Sequence, residues 1–323
     1  MIDFRYHIVS LISVFLALAV GIVLGAGPLK DTISQSLTGQ VNQLRQEKDT
    51  LRDERDSARR ARDDERSFVD YAAGELLAGR LDGQRVVIVS LARVPEETLR
   101  AVDVRLSQAG AAVTGYVTLT EAWTDPDTAA YRKQLAGSLS AHLNPAPQGA
   151  TTDVTLATSL VQALTGVDSA DPTKFGDSAT SLLGILLTSD NALVTTDGDL
   201  TAPADSVVVL APPVKARALP TDGVQTARLA VVAAAQQGSQ GAVLVDGARG
   251  KGSLVDALLA DPALAGTVTS VSGISATSAQ VTVPMALAAQ IAGKVGHYGH
   301  GNDETVLPPT VTLSAPPDDG AGG

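Results

Sequence analysis

Two short stretches carry the residue types that could do chemistry. The first is His297-Tyr298-Gly299-His300, followed closely by Asp303 and Glu304. Two imidazoles three residues apart, with carboxylates nearby, can supply nitrogen and oxygen ligands to a divalent ion. A glycine-rich helix exit that merely exposes two imidazoles has the same spacing, so both readings stand, with His297 and His300 as the candidate metal ligands. The second stretch is Asp246-Gly-Ala-Arg-Gly-Lys-Gly-Ser253, between an apolar run and a helical pattern. It could hold an anion through Arg249 and Lys251, or it could be a flexible strand-to-helix connection. It is not a P-loop, because Lys251 is followed by Gly252 rather than Ser or Thr.

Other chemistries lack their starting residues. The chain has no cysteine, which removes disulfides, thiolate metal sites and cysteine nucleophiles. No G-x-S-x-G elbow and no H-E-x-x-H occurs. No glycine lies between Gly83 and Gly110, where a dinucleotide fingerprint would need one behind the first strand. Neither a catalytic constellation nor a resident cofactor is therefore expected. Residues 1–78 hold 10 Lys and Arg against 12 Asp and Glu, and residues 79–323 hold 14 against 23. The second part is thus strongly acidic, which argues against a nucleic-acid partner.

The elements that would position these residues begin at the N-terminus. Ile8 to Gly27, IVSLISVFLALAVGIVLGAG, is long and apolar enough for a helix to cross ~30 Å of hydrocarbon. It exceeds the apolar core of a cleaved signal peptide, and Pro28 follows its small-residue run. We therefore read residues 1–7 as a cytoplasmic N-terminus, 8–27 as an uncleaved single-pass anchor in the cell membrane, and the bulk as extracytoplasmic. Gly21 and Gly25 form a small-xxx-small pair that could seat a second helix, although glycine is also simply frequent in membrane helices.

Residues 28–78 read as one long coiled-coil-like helix, reaching roughly 70 Å from the membrane at ~1.5 Å per residue. Leu37, Leu44, Leu51 and Ala58 recur every seven residues. With the leucines at d, position a holds Val41, Lys48, Arg55 and Arg62; with the leucines at a, position d holds Gln40, Glu47, Glu54 and Ala61. Either register puts charge in the seam, so a strong homodimer is not expected; a weaker homo-oligomer stays open beside a separate partner helix. Residues 45–66 interleave eight acids with eight bases. This is either a solvated face of internal ion pairs or a docking surface on which Leu37, Leu44, Leu51, Arg55, Arg59 and Arg62 meet a partner helix. Phe68, Val69, Tyr71, Ala72, Leu76 and Leu77 are expected to pack onto the domain that follows.

Residues 79–305 alternate strand and helix. Val86–Leu91, Ala112–Leu119, Val207–Leu210, Ala242–Val245 and Val268–Val271 read as strands. Helices are expected from Pro95 to Gln108 and over 128–143, 153–164, 178–187, 224–237 and 254–259. A last helix is expected to open at Pro284. The pattern predicts a mostly parallel, Rossmann-like α/β sheet covered on both faces. Residues 306–323, rich in Pro, Gly and Asp, are expected to be a disordered tail.

The opening MIDFRYHIVSLISVFLALAVGIVLGAGPL, the charged helix after it and Leu81-Asp-Gly-Gln-Arg-Val-Val-Ile-Val89 resemble the family named after the mycobacterial copper-transport protein MctB. The resemblance covers nearly the whole chain, and its opening is the specific part. It implies a cell-envelope protein of copper efflux or homeostasis, described as an outer-membrane channel. Through the SteB members it also implies a role in cell division, with the coiled coil controlling a septal peptidoglycan hydrolase alongside a SteA-like membrane partner. The residues fit these implications unequally. Soft Cu(I) prefers Cys and Met, whereas the chain offers only Met1 and Met285. A pore needs several spanning helices or a closed barrel. Copper binding by this chain would fall to His297 and His300.

Overall fold

The computed structural model describes residues 4–26, 28–145, 147, 149–187, 191–214, 218–311 and 313, with the backbone alone described for 26 and 28–36. The chain divides into two compact units, Met1–Glu65 and Arg66–Gly323. The first unit holds helix α1 (Phe4–Ala26) and most of helix α2 (Pro28–Leu77). The proline that opens α2 suits a first helical position, where no N–H is required.

The second unit is built on a seven-stranded sheet in the order β3-β2-β1-β4-β5-β6-β7. Its strands are β1 (Arg85–Ser90), β2 (Ala112–Leu119), β3 (Val194–Thr196), β4 (Ser206–Leu210), β5 (Ala242–Val245), β6 (Thr269–Val271) and β7 (His297–Tyr298). Every neighbouring pair is parallel except β2 with β3. The chain builds outward from β1 through β2, then returns to place β4 on the other side of β1. The strand order therefore reverses between β1 and β4. Helices α3 (Glu96–Gln108), α4 (Ala129–Leu139), α5 (Thr152–Thr165), α6 (Asp177–Leu187), α7 (Asp222–Gln237), α8 (Leu254–Leu259), α9 (Pro262–Ala265) and α10 (Thr277–Ile291) make up the rest.

Strand side chains alternate between faces, which explains why the central strands are apolar without a break. Val87, Val89, Val207, Val209 and Leu244 feed a core with residues of α4 to α8. Val86, Ile88, Val208, Leu210, Val243 and Val245 feed a second core with α3, α10 and Ala73 and Leu77 of α2. At the sheet's N-terminal edge the Arg85 guanidinium forks onto Asp205, at 2.7 Å and 3.0 Å, and the backbone N–H of Arg85 adds a third bond to the same carboxylate. Gly110 ends the α3 turn with φ +89°, and a Cβ there would lie 1.9 Å from an Asp82 carboxylate oxygen.

Several expectations need correction. Pro284 does not open the last helix but sits inside it. It gives up one bond to the Gln280 carbonyl, a cost of about 3 kcal/mol in an ordinary helix. Burial of Ala279, Val281, Val283, Met285 and Leu287 outweighs that cost. Pro95 caps α3 rather than occupying its first turn. On α2 the packed face is Ala73 and Leu77, fully buried, with Val69 partly so, whereas Phe68 and Tyr71 stay 73% and 87% exposed. Asp70 pairs with the buried Arg105 of α3, which fixes that face inward. The stretch expected to be a free tail is held as far as Leu313: Val311 and Leu313 pack on the second core, and Arg80 Nη1 donates to the Val311 carbonyl at 2.8 Å.

The two faces of α2 should separate in unfolding experiments. Leu77→Ala is expected to destabilise the second unit by about 2–5 kcal/mol, and Tyr71→Ala to change it by no more than about 0.5 kcal/mol. Denaturant unfolding of the full chain, followed by fluorescence of the single tryptophan, Trp123, checks both.

Candidate functional site

Three places were candidates from sequence: the apolar and charged helices, the 246–253 connection, and the histidine pair. On α1 the described side chains are exposed, as expected of a helix that faces lipid. Phe4–Gly25 is the one candidate membrane span among the described residues. Ser13 turns its hydroxyl back to the Val9 carbonyl at 2.8 Å, so it places no unsatisfied donor in the apolar face. A Cβ added at Gly21 or Gly25 would meet nothing within 4 Å.

On α2, Leu37, Leu44 and Leu51 are 56%, 63% and 64% exposed. Ion pairing along this helix is local and loose. Arg52 lies 3.8 Å from Asp49, and Arg55 hydrogen-bonds its neighbour Asp56 at 2.7 Å. That bond holds the Asp56 carboxyl below the ordinary carboxylate value, and the charges of Arg59 and Arg60 add to it. Exposed pairs of this kind contribute little to stability, so the charge pattern does little to hold the helix together. Arg62, the last basic residue of the proposed docking face, is likewise exposed on α2.

The 246–253 connection is neither a phosphate cradle nor a loose tether. Asp246 is 1% exposed, and its own carboxylate takes the place an anion would have. One oxygen accepts from the Gly247 N–H at 2.7 Å. The other accepts from the Ser253 hydroxyl at 2.9 Å and from the N–H groups of Leu254 and Val255 at 2.7 Å and 3.2 Å. A carboxylate at the start of a helix satisfies donors that have no intrahelical partner. Arg249 is spent on Asp256 and on Glu304, 3.1 Å away, while Lys251 is exposed. The sequence signal for this internal closure is the Asp that precedes the glycines and the Ser that caps α8.

The histidines do not sit at a helix exit. His297 begins β7 at the sheet edge, and its ring bridges two elements. Nε2 lies 3.1 Å from the Ala265 carbonyl and Nδ1 2.9 Å from the Ser270 hydroxyl. A carbonyl only accepts, so Nε2 carries the proton and the Nδ1 lone pair accepts from Ser270. A metal at His297 would have to displace one of these partners. His300 is exposed, and Glu304 faces Arg249, the Gly301 N–H at 2.7 Å and the Ser272 hydroxyl at 2.8 Å. Among the described residues no group of three or more His, Cys, Asp or Glu side chains is arranged to hold a metal ion.

The family described as "Copper transport outer membrane protein, MctB" matches residues 1–309. The chain belongs to the MctB family. Proteins named copper transporter MctB from Mycobacterium tuberculosis and Mycobacterium bovis are 31% identical to it over 316 residues, which is 94% of this chain and 97% of theirs. That of Mycobacterium leprae is 31% identical over 319 residues, 95% and 99% of the two chains. The match therefore takes in the apolar helix, the long helix and the domain together. In this MctB-family chain the membrane placement fits both the family's description and α1.

The environment of His297 has a consequence for pH. Burial lowers its pKa below the ordinary histidine value; the Ala265 carbonyl and Glu304 oppose this, and Arg249 adds to it. The unfolded chain then binds the proton more readily than the folded one, so stability falls as pH drops through about 6.5. Urea titrations between pH 5 and 7.5 should show that slope in the parent chain and a shallower one in His297→Gln.

Proposed function

We propose that this MctB-family chain is a non-enzymatic, single-pass envelope protein that works as an interaction scaffold. Its short N-terminus would be cytoplasmic, its domain extracytoplasmic, and α2 would be the surface offered to protein partners. One observation carries this reading: a stripe of three leucines at seven-residue intervals, each more than half exposed, on a 50-residue helix. Isolated apolar side chains on a surface need no explanation, whereas a periodic stripe on a long helix matches one side of a coiled coil. Lys48, Arg55 and Arg62 fall in its seam in one register, which disfavours a tight homodimer and favours a partner carrying acids at facing positions. The resemblance to SteB members points to a SteA-like membrane protein or a septal peptidoglycan hydrolase as that partner, and so to cell division.

The relatives' name supports a second reading, copper transport or homeostasis by efflux. The donor set agrees with it less well, since soft copper favours sulfur and His297 has both ring nitrogens engaged. Under this reading the chain would act as one part of a copper-handling assembly. A conduit through α1 alone has no wall.

Two measurements divide these readings. Reversing Arg55, Arg59 and Arg62 to Glu should abolish capture of membrane partners by the tagged full chain while leaving Trp123 fluorescence unchanged. Unchanged capture would discard the scaffold. Calorimetric titration of the detergent-solubilised chain with Cu(I) and Cu(II) tests the other reading. The scaffold reading expects no heat beyond that of a His297→Ala, His300→Ala control, and stoichiometric binding lost in that control would favour copper.

A further inference from the structure

A cleft of about 870 Å³ opens in the second unit at the carboxyl ends of the central strands, where the strand order reverses between β1 and β4. Leu91 and Arg93, which follow β1, line it, with Pro212 and Val214, which follow β4, and Val224 and Arg228 of α7. In open α/β sheets this is where ligands sit, because the loops leaving the two central strands diverge there and leave a crevice. Its volume suits a small organic molecule.

Among the described residues Trp123 Nε1 and Arg228 Nε are buried donors with neither a hydrogen bond nor an ion pair, and of the two only Arg228 lines the cleft. Burial pulls its pKa below the ordinary arginine value and the charge of Asp246 pulls the other way, yet that carboxylate is already spent on Gly247, Ser253, Leu254 and Val255. A buried donor on a charged group that is left without an acceptor destabilises the fold unless a ligand supplies one. A planar fork of donors matches a carboxylate or a phosphate. The site disfavours the phosphate. The turn after β1 holds no glycine, Pro95 has no N–H to offer, and Glu96 and Glu97 occupy the first turn of α3. Glu121 and Asp125 also line the cleft and oppose a dianion. Leu91, Val214 and Val224 call for an apolar body.

We propose that this cleft binds a small organic monocarboxylate with an apolar body, its carboxylate paired with Arg228. The site is separate from α2 and does not depend on the scaffold reading.

Trp123 gives the test its signal, because it is buried in the first core and lies in sequence between two cleft-lining residues, Glu121 and Thr124. The full chain in detergent is titrated with acetyl-leucyl-leucine as the free acid, with its C-terminal amide and with inorganic phosphate, by calorimetry and by Trp123 fluorescence. The free acid is expected to bind with a Kd of about 1 mM or tighter, and the amide and Arg228→Met each to weaken binding by about tenfold or more. The ligand-free Tm of Arg228→Met should be equal to or above that of the parent, because the substitution removes an unsatisfied buried group. Absence of binding by the free acid at about 10 mM would overturn the proposal. So would equal affinity of acid and amide, tighter binding of phosphate, or a lowered Tm in Arg228→Met with unchanged affinity for the acid.

Discussion

In hydrocarbon every backbone N–H and C=O must find its partner within the protein, because no water is there to take its place. A single helix can meet that demand alone, and in α1 the Ser13 hydroxyl is returned to its own backbone. Nothing else among the described residues is long and apolar enough to join it. The seven strands cannot substitute, since helices of the two cores cover both of their faces. A membrane-facing barrel would need one face of that sheet bare and apolar toward lipid. A helix of this kind can hold a chain at a membrane without a partner, and under the proposed reading the work is left to the parts that water can reach.

Those parts handle charge in opposite ways. In the domain, carboxylates act inward as fixed counter-charges: Asp205 joins the starts of β1 and β4 through Arg85, Asp246 caps α8, and Glu304 holds Arg249. Each accepts several donors, and charge-assisted bonds of this kind in partly dry surroundings are among the stronger ones available to a fold. Part of the domain's acidity is thus internal architecture. On the exposed part of α2, ahead of Asp70, Arg52 and Arg55 pair with their near neighbours Asp49 and Asp56, where water screens them. Groups that contribute so little to their own helix remain available to another one.

The fold was legible wherever a segment had to bury two faces or one stripe. Val86–Val89 and Val207–Leu210 announce themselves as strands because alternate residues serve separate cores. The Asp-Gly turn before β1 and the glycine at 110 fix ends that only particular backbone angles allow. The parts that could not be read lacked such a signature. Helix α10 is buried on nearly every side, so it has no polar face to set a 3.6-residue rhythm, and in sequence its proline reads as a helix start. Strands β3 and β7 have three and two residues and exist only through their neighbours. Phe68 and Tyr71 carry more apolar area than Ala73, yet the angular position of Ala73 and Leu77 on the helix, pinned by Asp70 to Arg105, decides which side turns inward. The same limit hid the candidate site. A sequence shows Asp246 beside a glycine-rich run, but not that its oxygens already fill the place a phosphate would take.

The family's association with copper sets a chemical condition that this chain meets poorly by itself. Cu(I) is held most firmly by thiolate and thioether sulfur. With no cysteine, the described residues offer only Met285, and that side chain lies within α10, 6% exposed in the second core. An imidazole can ligate only through a nitrogen whose lone pair is free, and at His297 that pair accepts from Ser270 while the other nitrogen donates to a carbonyl. Binding there would leave a backbone oxygen or a hydroxyl without its partner in a partly buried place, a penalty that offsets much of what the metal bond contributes. A scaffold carries no such penalty, since its ligands for the ion, if the assembly handles one, can belong to another chain. The exposed leucine stripe with basic residues in its seam is the kind of surface on which such a chain would be assembled.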